Sequence, residues 1–325
     1  MKMSQTVSSD GPRSWSAPLA AMLLLAACLL WSHWPTLVEL QAFWSRNADY
    51  SAGQLVPLVA LALAWRKRQA LRRLPVRPAW AGALLLVGGE VLRWFGLEYG
   101  VATAERLALP VSLAGVVWLA AGHQVFRQVF WILAFLLLMI PWPSRVHEAV
   151  AIPLQHIATL LAAAALELLG FFVVREGHVL RLDDQLAVGV TEACSGLRML
   201  TAFIFVSATL ALLVDRPRWQ RIVLLLASLP IAVLSNAVRS TATAVFFYAV
   251  RDAKLNEQFH DAAGLAMMPL GLLLCLGLLR FMSWLSAPDP AARAAPRPPS
   301  RPPQGRPGPS RHRTHHPARP CGADT

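Results

Sequence analysis

Cys194, Arg239 and His260 are the side chains in this 325-residue sequence whose types and order suit nucleophilic chemistry. A cysteine attacks as its thiolate, and a helix N-terminus or a neighbouring cation lowers the thiol pKa toward that form. Cys194 sits in the run Glu192, Ala193, Cys194, Ser195, Gly196, Leu197, Arg198, where a mixed stretch gives way to a long apolar one. His260, with an unperturbed pKa of about 6.5, can take the thiol proton and return it to a leaving amine near neutral pH. Arg239 keeps its charge there and is no base; its planar donors suit an oxyanion or a polarised carbonyl. Asn236 precedes it by one helical turn on the same face and can orient it or add a donor. Ser195 and Gly196 leave room for a substrate backbone and offer main-chain amides, while Glu192 and Arg198 flank the cysteine as supporting charges. Taken singly, each member of the trio also has an ordinary reading: a membrane cysteine as a small hydrophobe, an arginine that snorkels, a histidine in a loop.

The elements that carry these residues belong in lipid. The chain is 56% hydrophobic and only 15% charged, against about 25% charged for soluble domains. Its net charge of +12 falls between apolar runs and in the C-terminal tail. That is the distribution of the positive-inside rule, so the charge reads as topology and not as a nucleic-acid surface. Cys28, Cys194, Cys275 and Cys321 have no metal-ligand spacing and form no disulfide framework. Neither a metal nor a cofactor is expected, and His312, His315 and His316 in the tail are at most weak metal ligands.

Runs long enough to span, near twenty mostly apolar residues, are Ala17 to Trp34, Ala52 to Trp65, Ala79 to Phe95, Arg106 to Gly122, Val125 to Pro141, Leu197 to Val214, Ile222 to Phe247 and Leu265 to Leu285. The expected fold is therefore an all-α polytopic bundle of about eight spans. Basic loops at Arg66 to Arg77 and at Arg216 to Arg221 assign the cytoplasmic side. This orientation puts Cys194 at the outer end of the sixth span, Asn236 and Arg239 in the outer part of the seventh, and His260 before the eighth. Ala151 to Val174 is long enough to cross but carries Gln155, His156 and Glu167. Parity places it as an interfacial or re-entrant helix on the outer side. Val179 to Val190 alternates around Asp183 and Asp184 as a short hairpin leading into Glu192 and Cys194. Residues 1–286 form the membrane domain, and the Pro- and Arg-rich 287–325 reads as a disordered cytoplasmic tail.

Four stretches give the sequence a resemblance: EACSGLR from Glu192 to Arg198, NAVR from Asn236 to Arg239, FHDAAG from Phe259 to Gly264, and the run Leu138 to Pro143 followed by Pro153, Leu154 and Gln155. In order and spacing they resemble the exosortase and archaeosortase family of membrane-embedded sorting proteases, over roughly Phe130 to Leu285. The resemblance implies cysteine-dependent cleavage of C-terminal sorting signals on exported proteins at the periplasmic face of a bacterial inner membrane. Such a signal resembles Pro-Glu-Pro, then a transmembrane helix, then a basic cluster. It also implies transfer of the new carboxyl end to an acceptor such as an exopolysaccharide or lipid. Cys194, Arg239 and His260 are the positions that match the family's catalytic residues. Ser240 and Thr241 depart from it, standing where apolar residues are more usual. A second class stays open from the residues themselves: a transporter or flippase for polysaccharide or lipid, with Arg239 and Arg198 binding an anionic group.

Overall fold

The computed structural model describes residues 16–182, 186–189, 196–250 and 252–285. In chain order it has α1 Ser16–Ser32, α2 Trp34–Arg46, a 3-10 segment Ala48–Gln54, α3 Leu55–Arg66, α4 Arg68–Arg72, α5 Ala81–Glu98, α6 Ala102–Ala121 and α7 His123–Phe135. A second 3-10 segment, Leu136–Met139, leads to α8 Ser144–Leu168, then β1 Val173–Glu176, β2 Val179–Leu182, β3 Leu186–Gly189, α9 Leu197–Leu213, α10 Arg218–Ala249 and α11 Ala253–Leu285. The chain is thus a multi-pass, almost wholly helical membrane protein.

Among the described residues, four helices are long and apolar enough to cross a membrane: α6, α8, α10 and Lys254–Leu285 of α11. They become five if the pair α1 and α2, bent by 65°, is one span. Eight separate crossings do not emerge, for a physical reason. Helices α3, α7 and α9 have 12, 13 and 17 residues, so at 1.5 Å per residue they reach roughly 18–26 Å, short of a hydrocarbon core of about 30 Å. The 18-residue α5 carries Glu90, Arg93 and Glu98 within its length.

Glycine sets the closest of the helix contacts. The buried residues of α5 are Gly82, Gly89 and Gly96, seven apart, and a seven-residue repeat keeps one seam of a helix on its partner. A Cβ at Gly82 would strike the backbone of Leu119, one at Gly89 would strike Ser112, and one at Gly96 would lie 2.5 Å from Glu105 N. Small residues let two backbones meet in lipid, where dispersion and close packing drive helix pairing. Near the C-terminal end of α5, Arg93 donates to the carbonyl and hydroxyl oxygens of Ser32 at the α1–α2 bend. Thr36 donates to Glu105 Oε1 at 2.6 Å, and Ser112 donates to Glu90 Oε1 at 3.1 Å.

The basic loops meet at one end of the molecule. Lys67 Nζ donates to the Gln128 carbonyl at 3.0 Å. Burial first, and then the like charge of Arg221, hold its ammonium pKa below the ordinary lysine value, with Asp215 opposing. At the other end, α7 stops in the 3-10 turn Leu136–Met139, and Leu138, Ile140 and Trp142 line a small cavity with Thr201, Ile204 and Phe205 of α9. Phe135 meets Phe205 with ring centroids 5.8 Å apart. Thus α7 runs antiparallel to α9 and ends beside its first turns.

Helix α8 continues in that direction. Its early residue Leu154 packs with Leu197, Leu200 and Ala232, and its later residues Ala162 and Leu166 pack with Ala244 and with Leu180 and Leu182 of the sheet. It therefore runs alongside α10, the same way, and the chain does not turn back between α7 and α8. The segment expected as an interfacial or re-entrant helix over Ala151 to Val174 is instead a continuous 25-residue helix through Pro153, Ser144–Leu168, long and apolar enough to cross a membrane, and Val173 and Val174 belong to β1. The expected hairpin is present as β2 and β3, antiparallel with Leu182 opposite Leu186; its turn at Asp183 and Asp184 lies outside the described residues, and β1, which the alternation did not mark, adds a third strand on β2 with Val173 opposite Leu182.

Candidate active site

Helix α9 begins at a glycine because the chain needs a left-handed residue there. Gly196 has φ +85° and forms the N-terminal boundary of α9, a conformation that costs other L-residues about 1–2 kcal/mol. It is buried against α10: a Cβ on it would lie 3.1 Å from Asn236 Nδ2 and 3.3 Å from its Cγ. The helix starts after this glycine, and Arg198 occupies its first turn. Arg198 is half-buried, and its carbonyl accepts the Thr201 hydroxyl at 3.1 Å. Glu192, Cys194 and Ser195 lie outside the described residues.

Asn236 and Arg239 are each 1% exposed, and Arg239 is among the largest fully buried side chains described. A guanidinium is kept there because α10 turns a polar face inward: Ser228, Ser235, Asn236, Arg239, Ser240 and Thr243 are all buried. Its outward residues Leu226, Leu229, Leu234 and Val238 are exposed, as expected of a lipid-facing surface. Intramembrane charge placed so is a functional candidate by default.

Helix α11 brings the third expected residue. Asp252 caps it, its Oδ1 accepting the amides of Lys254 at 2.8 Å and Leu255 at 3.1 Å, so the helix starts seven residues before His260. His260, expected ahead of the last span, is instead half-buried two turns inside this helix. The following turn carries Gly264, whose Cβ position is 3.4 Å from Arg239 Nη1. The Phe246 and Phe259 rings stack at 4.0 Å with planes 7° apart, which fixes α10 and α11 antiparallel. Further along, Gly271 admits the Phe203 ring of α9, and Ser207 Oγ lies 3.5 Å from Cys275 Sγ. Cys275 is buried and acts as core, as expected from its apolar run.

The three sequence motifs therefore meet through their small residues. Gly196 of the first abuts Asn236 of the second, and Arg239 of the second abuts Gly264 of the third, one turn from His260. This brings two expected supporting residues, Asn236 and Gly196, into contact and gives Arg239 and His260 neighbouring places on facing helices. Residues that sequence reasoning missed lie on the flank of α9. Thr201 donates to the Asp49 carbonyl at 2.5 Å, anchoring the segment Ala48–Gln54. There the Tyr50 hydroxyl lies 3.0 Å from His147 Nδ1. Burial, opposed by a backbone hydrogen bond from Trp142 and aided by a lesser push from Asp49, raises the Tyr50 pKa above the ordinary tyrosine value. No periodic signal marks this pair; only the Leu138 to Pro143 stretch hinted that the region mattered. Among the described residues no group of His, Cys, Asp and Glu is placed to hold a metal ion.

A family model described as transmembrane exosortase matches residues 44–277. No curated protein and no solved structure matches the chain.

Proposed function

The chain belongs to the transmembrane exosortase family, and from that premise we propose that it is a membrane-embedded cysteine endopeptidase and transpeptidase for sorting signals. Its substrates are exported proteins ending in a Pro-Glu-Pro-like motif, a transmembrane helix and a basic cluster. It acts at the periplasmic face of a bacterial inner membrane, with the C-terminal tail in the cytoplasm. Cys194 attacks the scissile carbonyl as thiolate, Arg239 holds the developing oxyanion, and His260 protonates the departing amine, leaving an acyl thioester. An amine or hydroxyl of a lipid or glycan acceptor, or water, then takes the acyl group, and the thiol is restored. Asn236 keeps Arg239 in place, Ser195 and Gly196 supply main-chain amides, and Glu192 and Arg198 set the local charge.

The observation that carries this reading is the meeting of the motifs at one depth, Gly196 on Asn236 and Arg239 on Gly264. A transporter for anionic lipid or polysaccharide would use Arg239 equally, but it gives no role to a cysteine two residues before the Asn236 contact. The test is in cells that express one cognate substrate. Cys194→Ala is expected to abolish processing while the protein still accumulates in the membrane. Wild-type processing by that variant would overturn the reading.

A further inference from the structure

Helix α10 carries more buried polarity than the proposed reaction uses. Ser235, Arg239 and Thr243 stand at four-residue intervals and so form one stripe along the helix, with Ser240 beside it. The three hydroxyl residues are 2%, 7% and 5% exposed in the order Ser235, Ser240, Thr243. A helical Ser or Thr commonly turns its hydroxyl back to the carbonyl of the preceding turn. Thr241 does this to Ala237 at 2.9 Å, and Thr159 and Thr209 do it to Gln155 and Phe205 at 2.8 Å each. Ser235 Oγ, Ser240 Oγ and Thr243 Oγ1 do not, and they have no hydrogen-bond partner among the described residues. A buried hydroxyl left so is unfavourable, above all in lipid, and three beside one guanidinium mark a place built to hold a polar ligand.

The chemistry of the stripe selects that ligand. Hydroxyls both donate and accept, and the three oxygens are buried and without partner among the described residues. A small molecule that donates and accepts suits them, and water is such a molecule. The stripe also leads to the reacting centre: the Phe246–Phe259 stack and the Arg239–Gly264 contact set the register of the antiparallel α10 and α11 and bring Thr243 level with His260.

We propose that Ser235, Ser240 and Thr243 hold a short file of ordered water along Arg239, and that this water resolves the thioester, making the protein a hydrolase as well as a transferase. The proposal rests on Cys194 as the nucleophile. The water oxygen bonds to the acyl carbon and the carbon–sulfur bond breaks. His260 accepts the water proton and returns it to the Cys194 sulfur, leaving a free carboxylic acid and a thiol.

The test uses the full-length protein in lipid nanodiscs with a synthetic peptide comprising Pro-Glu-Pro, a spanning helix and an arginine cluster, with hydroxylamine as acceptor. Mass spectrometry counts free acid against hydroxamate. Thr243→Val, which keeps the side-chain shape, and Ser240→Ala are each expected to lower the acid-to-hydroxamate ratio about tenfold, while the peptide is still consumed. Thr243→Ser restores the ratio. Thr241→Val, whose hydroxyl is spent on its own helix, leaves it unchanged. An unchanged ratio in both Thr243→Val and Ser240→Ala overturns the proposal, as does an equal loss of both products, which would make the hydroxyls structural. A Cys194→Ala protein that consumes the peptide normally removes the thioester itself, a failure of the underlying reading that is distinct from either result.

Discussion

Gly196→Ala tests whether the contact between the first two motifs serves the chemistry. The substitution has two consequences that can be separated. A Cβ at φ +85° costs about 1–2 kcal/mol of backbone energy. It also lies 3.1 Å from Asn236 Nδ2, so Asn236 must yield by a few tenths of an ångström. Misplacement by about 1 Å of a positioned group costs about a hundredfold in rate, and a third to a half of that displacement scales to about a five- to tenfold loss. Gly170→Ala supplies the control, because Gly170 has φ +92° and nothing within 4 Å of its Cβ position, so it carries the backbone penalty alone. Gly264→Ala completes the set: its Cβ meets Arg239 Nη1 at 3.4 Å, ordinary contact distance, and activity stays within about twofold of wild type. Gly264→Leu displaces the guanidinium, and activity falls about a hundredfold. The assay is the cleaved fraction of a tagged substrate in cells, divided by enzyme abundance from the same membranes. If Gly196→Ala and Gly170→Ala cleave equally per folded molecule, the contact with Asn236 has no part in catalysis.

Arg239→Lys keeps the charge but loses the planar fork, and initial rates in detergent are expected to fall by about 10²–10³ with the fold retained, the range seen when one oxyanion donor is removed. Phe259→Ala removes the stack on Phe246, and thermal unfolding is expected to register a loss of about 1–3 kcal/mol, with activity lowered through His260 beside it. Gly89→Leu drives a side chain into Ser112 of α6, and the amount of folded protein recovered by gel filtration is expected to drop, consistent with overpacking of about 1–3 kcal/mol or more. Burial and Arg221 lower the pKa of Lys67, so the folded state disfavours its charge, and stability is gained as pH rises through that depressed value toward the ordinary 10.5. Lys67→Met is expected to flatten this alkaline gain in melting curves; an undiminished gain would assign it to another group.

Helix content, the grouping of the basic loops and the order of the motif-bearing elements were all legible in the apolar runs and their flanking arginines. Span count was not. A hydropathy window of about twenty residues cannot see that α3 is preceded by the 3-10 segment Ala48–Gln54, or that α7 gives way to another at Leu136–Met139. Both apolar runs were read as full spans and fold as shorter helices. The segment around Gln155 and His156 was ambiguous because composition argues crossing and charge parity argues against it. By length and composition α8 falls on the crossing side of that choice. The glycine seam of α5 was present in the sequence as a seven-residue repeat, but three glycines in an apolar helix look like dilution until a partner backbone occupies their Cβ positions.

At the site, helical periodicity carries into the structure within α10, whereas the start of α11 lies ahead of His260 and was not legible in the apolar run. Asn236 and Arg239 share a face because α10 is uninterrupted there, three positions apart. The expected alignment of Arg198 with Cys194 falls outside the described residues, and what the structure adds there is the left-handed φ of Gly196 at the start of α9. The same glycine explains the depth of the site. Helix α9 spans 17 residues and α10 spans 32, and the two meet at Gly196 and Asn236, so α10 continues for thirteen residues beyond that contact, up to Ala249. Beyond that contact the polar face of α10 still presents Arg239, Ser240 and Thr243. Lipid would not tolerate that face open. It is covered instead by α11, whose Gly264 lets the guanidinium lie close, and by α8 and the sheet, packed through Ala162, Leu166, Leu180 and Leu182 against Ala244. The unequal lengths of two adjacent helices thus leave a buried polar stretch of α10 inside an apolar bundle, and in a desolvated setting Arg239 acts more strongly on a developing negative charge than it would in water.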